Sequence, residues 1–345
     1  YRRQPQMCIR DRDSAPGMPT LAEFFPRYIE HRGLRCTPGT LAGYEAEAAR
    51  TFLPRLGELP VDMIDRRTVA EWIRWQLQQP TARWRAAAAR AAAATPPRPE
   101  PPLATVSPKT VRNAHALLSA VLGLAVQEGI LPANPARGAD LPDDDVEEER
   151  GIFSRAEWAR FYAAISESYQ PLLIVLLVTG ARWGEATALQ VRDLDVAASV
   201  IHVRRAWKKG KEGAVLGVPK TARGRRTIML PDWAVETLEP LAAGRAADEF
   251  LLTAPGGGVI HRTNFVERHW KPALAAAGIA KHLTPHSLRH TFASWALMDG
   301  VPAQVVQHRL GHESLQTTSR VYAHLLLDAQ RAAVDAIGWE PPPGA

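Results

Sequence analysis

Apolar side chains in the first third of the chain recur at the three- and four-residue intervals of amphipathic helices. Behind a capping Thr20, the positions Leu21, Phe24, Phe25, Tyr28 and Ile29 form one such stripe. A second helix is predicted after Thr37-Pro38, through Leu41, Tyr44, Ala48 and Phe52. A third starts near Asp65 and carries Val69, Trp72, Ile73 and Leu77. Ser107-Pro108 opens another, with Val111, Ala114, Leu118, Val121, Leu122 and Ala125 on one stripe and Gly129 at its end. Residues 19–142 therefore read as an all-helical domain of four or five helices. Within it, 81–106 departs from the pattern. Arg85 to Ala94 is Ala-rich enough for a helix, but the run Pro-Pro-Arg-Pro-Glu-Pro-Pro after it is not, so the segment is expected to be an insertion or mobile loop. Residues 1–18 lack any helical period, are broken by Pro5 and Pro16, and are expected to be disordered or non-native.

The second half is patterned differently. A run of acids from Asp143 to Glu149 marks residues 143–150 as a solvated linker. Ser154 with Glu157 three residues on is a capping box that opens a second domain, 151–335. A buried helix covers Leu172 to Thr179 and breaks at Gly180; a further helix is predicted from Ala181, with Arg182 and Glu185 inside it. Val200 to Val203 and Thr227 to Leu230 read as strands, with Val215 to Pro219 as a middle strand between them. Helices resume at Trp233, Thr263 and Thr284, and the Pro-rich tail, 336–345, should fray. The predicted class is mainly α with a small antiparallel β-sheet.

Composition narrows the partners. At 345 residues, 46% of them hydrophobic, the chain has material for two packed cores. A net charge of +6 and a pI near 9.5 suit a polyanion. The longest apolar run, Leu172 to Val178, is far short of the roughly 20 residues of a membrane helix, and no secretory signal stands at the start. Two cysteines, Cys8 and Cys36, offer no metal spacing and fit a reducing, cytoplasmic setting.

The candidate chemistry centres on Thr284 to His324. On a helix, His286, Arg289 and His290 fall at i, i+3 and i+4 and should share one face, with Leu288, Phe292, Trp295 and Ala296 burying the other. Such a cationic cluster suits an anion, and planar guanidinium suits a pair of phosphate oxygens. His312 follows Gly311 at a corner, and Tyr322 supplies a phenol that needs positive surroundings to act as a nucleophile, its pKa being about 10 in water. Arg182, in TGARWGE, could be held by Glu185, although such pairs are usually surface decoration. Lys220, in VPKTARGRRTI, is a candidate general acid with Lys208, Lys209 and Lys211 as rivals. His286 and His290 also have zinc-helix spacing, but the motif holds no companion glutamate and Arg289 would adjoin the cation; no metal is expected. Gly256-Gly257-Gly258 is followed by no Lys-Ser/Thr and reads as a turn, not a P-loop.

Taken in order and spacing, TGARWGE, TPHSLRHTFA, LGH and VYAH, with Lys220 in the hairpin after the first, resemble the tyrosine recombinase (phage integrase) family. The resemblance covers roughly 151–335 and extends more loosely to the helical half, which is similar to that family's core-site DNA-binding domain. It implies that Arg182 and Arg289 clamp the non-bridging oxygens of a scissile phosphate. His286 and His312 would donate hydrogen bonds to it, with His286 as the base for the phenol. Lys220 would protonate the departing 5′ hydroxyl, and Tyr322 would form a covalent 3′-phosphotyrosine. Glu185 matches a supporting acidic position. No metal, cofactor or ATP is implied. The implied partners are double-stranded DNA attachment sites, three further protomers in a homotetramer, and accessory DNA-bending or directionality proteins, with the reaction at the bacterial nucleoid. Lys109 and Arg112, on the 107–127 helix, are expected phosphate contacts. Residues 1–18 are too few for the arm-site domain of many phage integrases, which is expected to be absent or truncated. Alternatives are a resolvase, a topoisomerase-like nicking and closing enzyme, or a DNA-binding protein without activity.

Overall fold

The computed structural model describes residue 14 and residues 17–143, 151–210, 213–219 and 224–311. The expected N-terminal disorder (bar a few residues), most of the acidic linker, the C-terminal tail, and Lys211, Lys220, His312 and Tyr322 lie outside the described residues. The chain divides into two compact units, Tyr1–Glu147 and Glu148–Ala345.

The first unit is helical. Helix α1 (Leu21–Gly33) starts at a capping box in which Thr20 and Glu23 satisfy each other's backbone N–H groups. Helix α2 (Pro38–Arg50) stops short of Phe52, the last residue of its predicted stripe. Pro54 explains the break: continued helix would drive its ring against the Arg50 carbonyl and lose a hydrogen bond. Phe52 is nonetheless fully buried, edge-on to Trp72, and Trp72 Nε1 donates to the Thr51 carbonyl at 3.2 Å. The short α3 (Leu53–Leu56) follows, then α4 (Arg66–Leu77), capped by Asp65. After α5 (Ala82–Ala92), the long α6 (Pro108–Gln127) buries Val111, Ala114, Leu118, Val121, Leu122 and Ala125, the stripe expected of it. His115, also buried on α6, places Nε2 2.9 Å from the Ala136 carbonyl and so fixes the chain leaving the helix.

The 81–106 segment, expected to be an insertion or mobile loop, is an excursion whose ends meet. Thr81 N–H donates to Ala104 O at 2.8 Å and Val106 N–H to Gln79 O at 2.9 Å, so its ends are zipped together. Within it, Trp84 Nε1 donates to Pro101 O at 3.0 Å, tying α5 to the proline-rich return.

In the second unit, α7 (Arg155–Ala164) begins at the Ser154–Glu157 capping box. Helix α8 (Gln170–Thr179) is buried almost all round, as its unbroken apolar sequence requires, and ends at Gly180 with φ of 61°. A β-carbon on Gly180 would lie 2.7 Å from both Leu310 Cδ2 and Phe292 Cδ1, so backbone and space both demand glycine there. Helix α9 (Trp183–Ala186) is one turn long.

Strands β1 (Leu194–Asp195), β2 (Val200–Val203), β3 (Ala206–Lys209), β4 (Ala214–Gly217) and β5 (Arg226–Met229) form two separate pieces. The first is a three-stranded antiparallel sheet in the order β1-β2-β5; the second is the β3-β4 hairpin. This corrects the expected middle strand. Strands β2 and β5 pair directly, Ile201 opposite Ile228, while Val215 and Leu216 on β4 are exposed and Val218 lies beyond it. Strand propensity there reports an outlying hairpin, not a place in the buried sheet.

Helix α10 (Asp232–Ala242) follows, then α11 (Arg262–Phe265), which runs through a π-helical turn into α12 (Lys271–Ala276). The last described helices are α13 (Pro285–Met298) and α14 (Ala303–Leu310). Trp270, buried against Phe153 and Phe161, anchors the core, and its Nε1 donates to Leu283 O at 2.9 Å just ahead of α13. Among the described residues, no helix is long and apolar enough to cross a membrane.

Candidate active site

Gly180 turns the chain out of α8, and two residues later Arg182 sits in extended conformation at the N-cap of α9, not inside the helix as expected. A one-turn helix leaves its first N–H groups without intrahelical partners, and Glu185 reaches back to serve one of them. Its Oε2 accepts the Arg182 backbone N–H at 2.9 Å, and its Oε1 accepts Arg182 Nη1 at 2.9 Å. The arginine side chain is 44% exposed while the glutamate's is 3% exposed, so a buried carboxylate steadies a solvent-facing guanidinium.

That carboxylate has a second partner. Arg226 Nη2 donates to Glu185 Oε2 at 2.8 Å from a side chain only 1% exposed. Burial alone would raise the Glu185 carboxyl, but the charges and hydrogen bonds of Arg226 and Arg182 outweigh it and hold the group below its ordinary value. The remaining donors of Arg226 go to carbonyls, Nε to Arg309 O at 2.6 Å and Nη1 to Gly224 O at 3.1 Å.

Sequence reasoning missed Arg226, although a signal was present. On β5 the inward positions alternate as Arg226 and Ile228, followed by Leu230. A charged residue on the apolar parity of a strand needs a buried counter-charge, and Glu185 is that counter-charge.

Arg289, on α13, also turns inward. It is 3% exposed, donating from Nη1 to Gly180 O at 2.6 Å and from Nη2 to Leu310 O at 2.8 Å. The shared open face expected for His286, Arg289 and His290 is therefore only partly formed. At about 100° per residue, His290 lies about 40° to one side of His286 and Arg289 about 60° to the other, towards Phe292 and the buried side. His286 is exposed, and its ring meets that of His290 edge to face with centroids 4.8 Å apart.

Arg309 completes a set of inward guanidinia. It donates from Nη2 to Val178 O at 3.0 Å and Met229 O at 3.1 Å, and its guanidinium lies 5.3 Å from the Phe292 ring centre. Burial lowers its pKa.

Four of the six carbonyls that these arginines find share one origin. Val178 and Gly180 close α8, and Arg309 and Leu310 close α14, so these four belong to helix C-terminal ends with unsatisfied acceptors and partial negative charge, while Gly224 and Met229 flank or end β5. Two helix ends and one buried carboxylate thus offset the self-repulsion of the arginine cluster. Among the described residues, no three His, Cys, Asp or Glu side chains converge as a ligand set. The structure brings Arg182, Glu185 and Arg289 together through the Gly180 turn. Arg289 also holds Leu310, two residues before His312. Lys109 and Arg112 lie in the other unit, exposed near the start of α6, with Arg112 Nη1 3.2 Å from Pro142 O.

Comparison with known proteins places both units. Residues 153–328, just over half of the chain, match the profile described as the phage integrase family, and residues 20–75 match the phage integrase N-terminal SAM-like domain. A tyrosine recombinase XerC-like protein of Caldanaerobacter subterraneus subsp. tengcongensis is 27% identical over 260 residues, 67% of this chain and 66% of that protein. The transposase of transposon Tn916 from Enterococcus faecalis is 26% identical over 260 residues, 67% of this chain and 62% of that one. The chain thus spans slightly less than two thirds of these relatives' length. Among solved structures, the Tn1549 transposon integrase in complex with circular intermediate DNA superposes with a TM-score of 0.74 at 22% identity, covering 92% of this chain and 99% of that one. A lambda integrase tetramer bound to a Holliday junction gives 0.61 at 18% identity, covering 89% and 78%. These likenesses establish the fold.

Proposed function

Since the chain belongs to the phage integrase family, we propose that it is a site-specific tyrosine recombinase that cuts and rejoins DNA to integrate or excise a mobile element. Arg182 and Arg289 bind the non-bridging oxygens of the scissile phosphodiester, whose negative charge grows in the transition state. Tyr322 Oη attacks phosphorus and gives up its proton to His286, and His312 donates a hydrogen bond to the phosphoryl group. The bond to the 5′ oxygen breaks, and Lys220 protonates that oxygen as it leaves. The product is a 3′-phosphotyrosine ester. Attack by a 5′ hydroxyl from another strand then reverses the step, so bond energy is conserved and no nucleotide is consumed.

The observation that carries this reading is that Arg289 reaches 109 residues back along the chain to the Gly180 turn that presents Arg182. Two guanidinia from separate motifs are thereby fixed by protein carbonyls and by Glu185, preorganised before any phosphate arrives. Arg226 acts through Glu185 as a positioning residue. The helical unit would grip core-site DNA through phosphates, Lys109 and Arg112 among the contacts, with the acidic segment 143–150 linking it to the catalytic unit. Four protomers on two duplex sites, with accessory bending or directionality proteins, would complete the assembly in the cytoplasm at the nucleoid.

The test is incubation with attachment-site DNA nicked beside the cleavage position, followed by mapping of any peptide on the 3′ end. A Tyr322 peptide is expected, and Tyr322→Phe should abolish it while leaving DNA binding intact. A covalent adduct that relaxes supercoils but never joins two duplexes would favour the topoisomerase-like alternative. Unchanged recombination with Tyr322→Phe would sink the enzyme reading.

A further inference from the structure

The excursion between α4 and α6 leaves the helical unit and returns to its starting point. Its ends pair at an isolated antiparallel bridge, Pro80 with Thr105, flanked by the two hydrogen bonds described above. Inside, Arg98 N–H donates to Ala91 O at 2.9 Å, closing the end of α5, and Trp84 ties the helix to Pro101. Yet α5 buries none of its residues and adds nothing to the core of the unit. An ordered helix that stabilises no core suggests a role at the surface.

Its composition indicates which. Helix α5 carries Arg83, Arg85 and Arg90 and no acid; Arg98 follows, against one Glu100. None of these four arginines is ion-paired among the described residues. Trp84, Ala87, Ala88 and Ala91 form its half-covered side. By helical geometry Arg83 and Arg90 flank that side on one edge, about 10 Å apart along the axis, and Arg85 flanks it on the other. Alanines between them allow close approach of a partner. Spacing of about 10 Å matches roughly three nucleotide steps along one DNA strand. The excursion rejoins the unit at Val106, directly before the exposed Lys109 and Arg112 of α6.

We infer that the 80–106 excursion is a second phosphate-binding surface, an arm that contacts the backbone of duplex DNA independently of base sequence. This rests on the recombinase reading, in which the helical unit binds DNA.

The experiment uses the full chain, an attachment-site duplex and an unrelated duplex, with affinity measured between 50 and 200 mM salt. Replacing Arg83, Arg85 and Arg90 by alanine, all exposed and in a helix that alanine favours, should leave thermal stability unchanged. With three phosphates no longer neutralised, the slope of log affinity against log salt should become shallower by about 2.7 on both duplexes. The drop in affinity between the two salt concentrations should shrink by about 40-fold. The corresponding triple lysine variant should restore the slope. A second variant, with a short Gly-Ser turn joining Thr81 to Ala104, should lose slope as the alanine variant does. Wild-type protein that binds both duplexes, with an unchanged slope in the alanine variant, overturns the inference alone. An unchanged slope with lost self-association also overturns it, assigning the surface to a second copy of the chain. Wild-type protein that binds neither duplex overturns the recombinase reading and the inference with it.

Discussion

Arg226 and Glu185 form an ion pair 2.8 Å long between side chains that are 1% and 3% exposed. The pair joins β5 to α9, and the same carboxylate holds both the backbone and the guanidinium of Arg182. Two charges so deeply enclosed are costly unless every donor and lone pair is used. Here the other Arg226 donors end on Arg309 and Gly224 carbonyls. Arg226 therefore fixes the orientation of Glu185, and Glu185 fixes Arg182.

Removing one partner strands the other. Arg226→Ala should destabilise the second unit by about 3–5 kcal/mol, the usual cost of an uncompensated buried charge. Denaturant unfolding measures this directly. Arg226→Lys keeps the charge but loses the forked geometry, and should cost less stability while still slowing single-turnover cleavage about tenfold. In a Glu185→Gln background that slowing should largely vanish, since the path through Glu185 is already broken. Full additivity in the double variant would show that Arg226 acts on folding alone.

Gly180→Ala is expected to be severe for its size. The left-handed φ costs an alanine about 1 kcal/mol or more, and its methyl would overlap Leu310 and Phe292. Relief of the overlap must move the carbonyl that receives Arg289. A lowered melting temperature together with a cleavage defect larger than the loss of DNA affinity is the expected pair of results. A well-folded, fully active variant would show the turn to be tolerant.

Much of this frame was legible in the sequence. The Thr20 cap, the Ser154–Glu157 capping box and the Gly180 stop are local chemistry, decided within four residues. Arg182 was recognisable from its motif, but its N-cap position was not, because a one-turn α9 leaves no period to read. The inward course of Arg289 and Arg309 depends on carbonyls brought from distant elements, which no local pattern encodes, whereas Arg226 shows in its inward parity on β5. The β3-β4 hairpin misled for the opposite reason. Val215, Leu216 and Val218 have strand character, yet burial, not propensity, decides which strands share a sheet.

Acid should weaken the helical unit through His115. Burial lowers its pKa from 6.5, so the folded state takes up its proton less readily than the unfolded chain. Its contribution is fully present above about 6.5 and is lost as pH falls from there through the folded value. Unfolding of the first unit followed at pH 7.5 and 5.5 should show the loss, and His115→Gln should remove that part of the dependence. Glu185, depressed in the folded state, contributes at all pH values above the ordinary carboxyl range and loses its contribution only as pH falls below that range. An equal pH response with and without His115 would assign the acid sensitivity to other groups.

If Arg289 binds the scissile phosphate as proposed, Arg289→Lys separates charge from geometry there. The guanidinium holds Gly180 O and Leu310 O with two nitrogens of one planar group, a span that a single ammonium cannot reproduce. A lysine would keep the positive charge, so affinity for attachment-site DNA should change by less than about threefold, since one retained charge preserves the counterion release. The transition-state charge, by contrast, would lose a fixed donor. Losses of that kind typically cost about 100-fold or more in rate. Single-turnover cleavage of a nicked substrate should therefore fall by about two orders of magnitude. If the variant binds and cleaves as the wild type does, Arg289 serves only to pin α14 against α8. The charge at the phosphate would then have to come from Arg182 and the imidazoles.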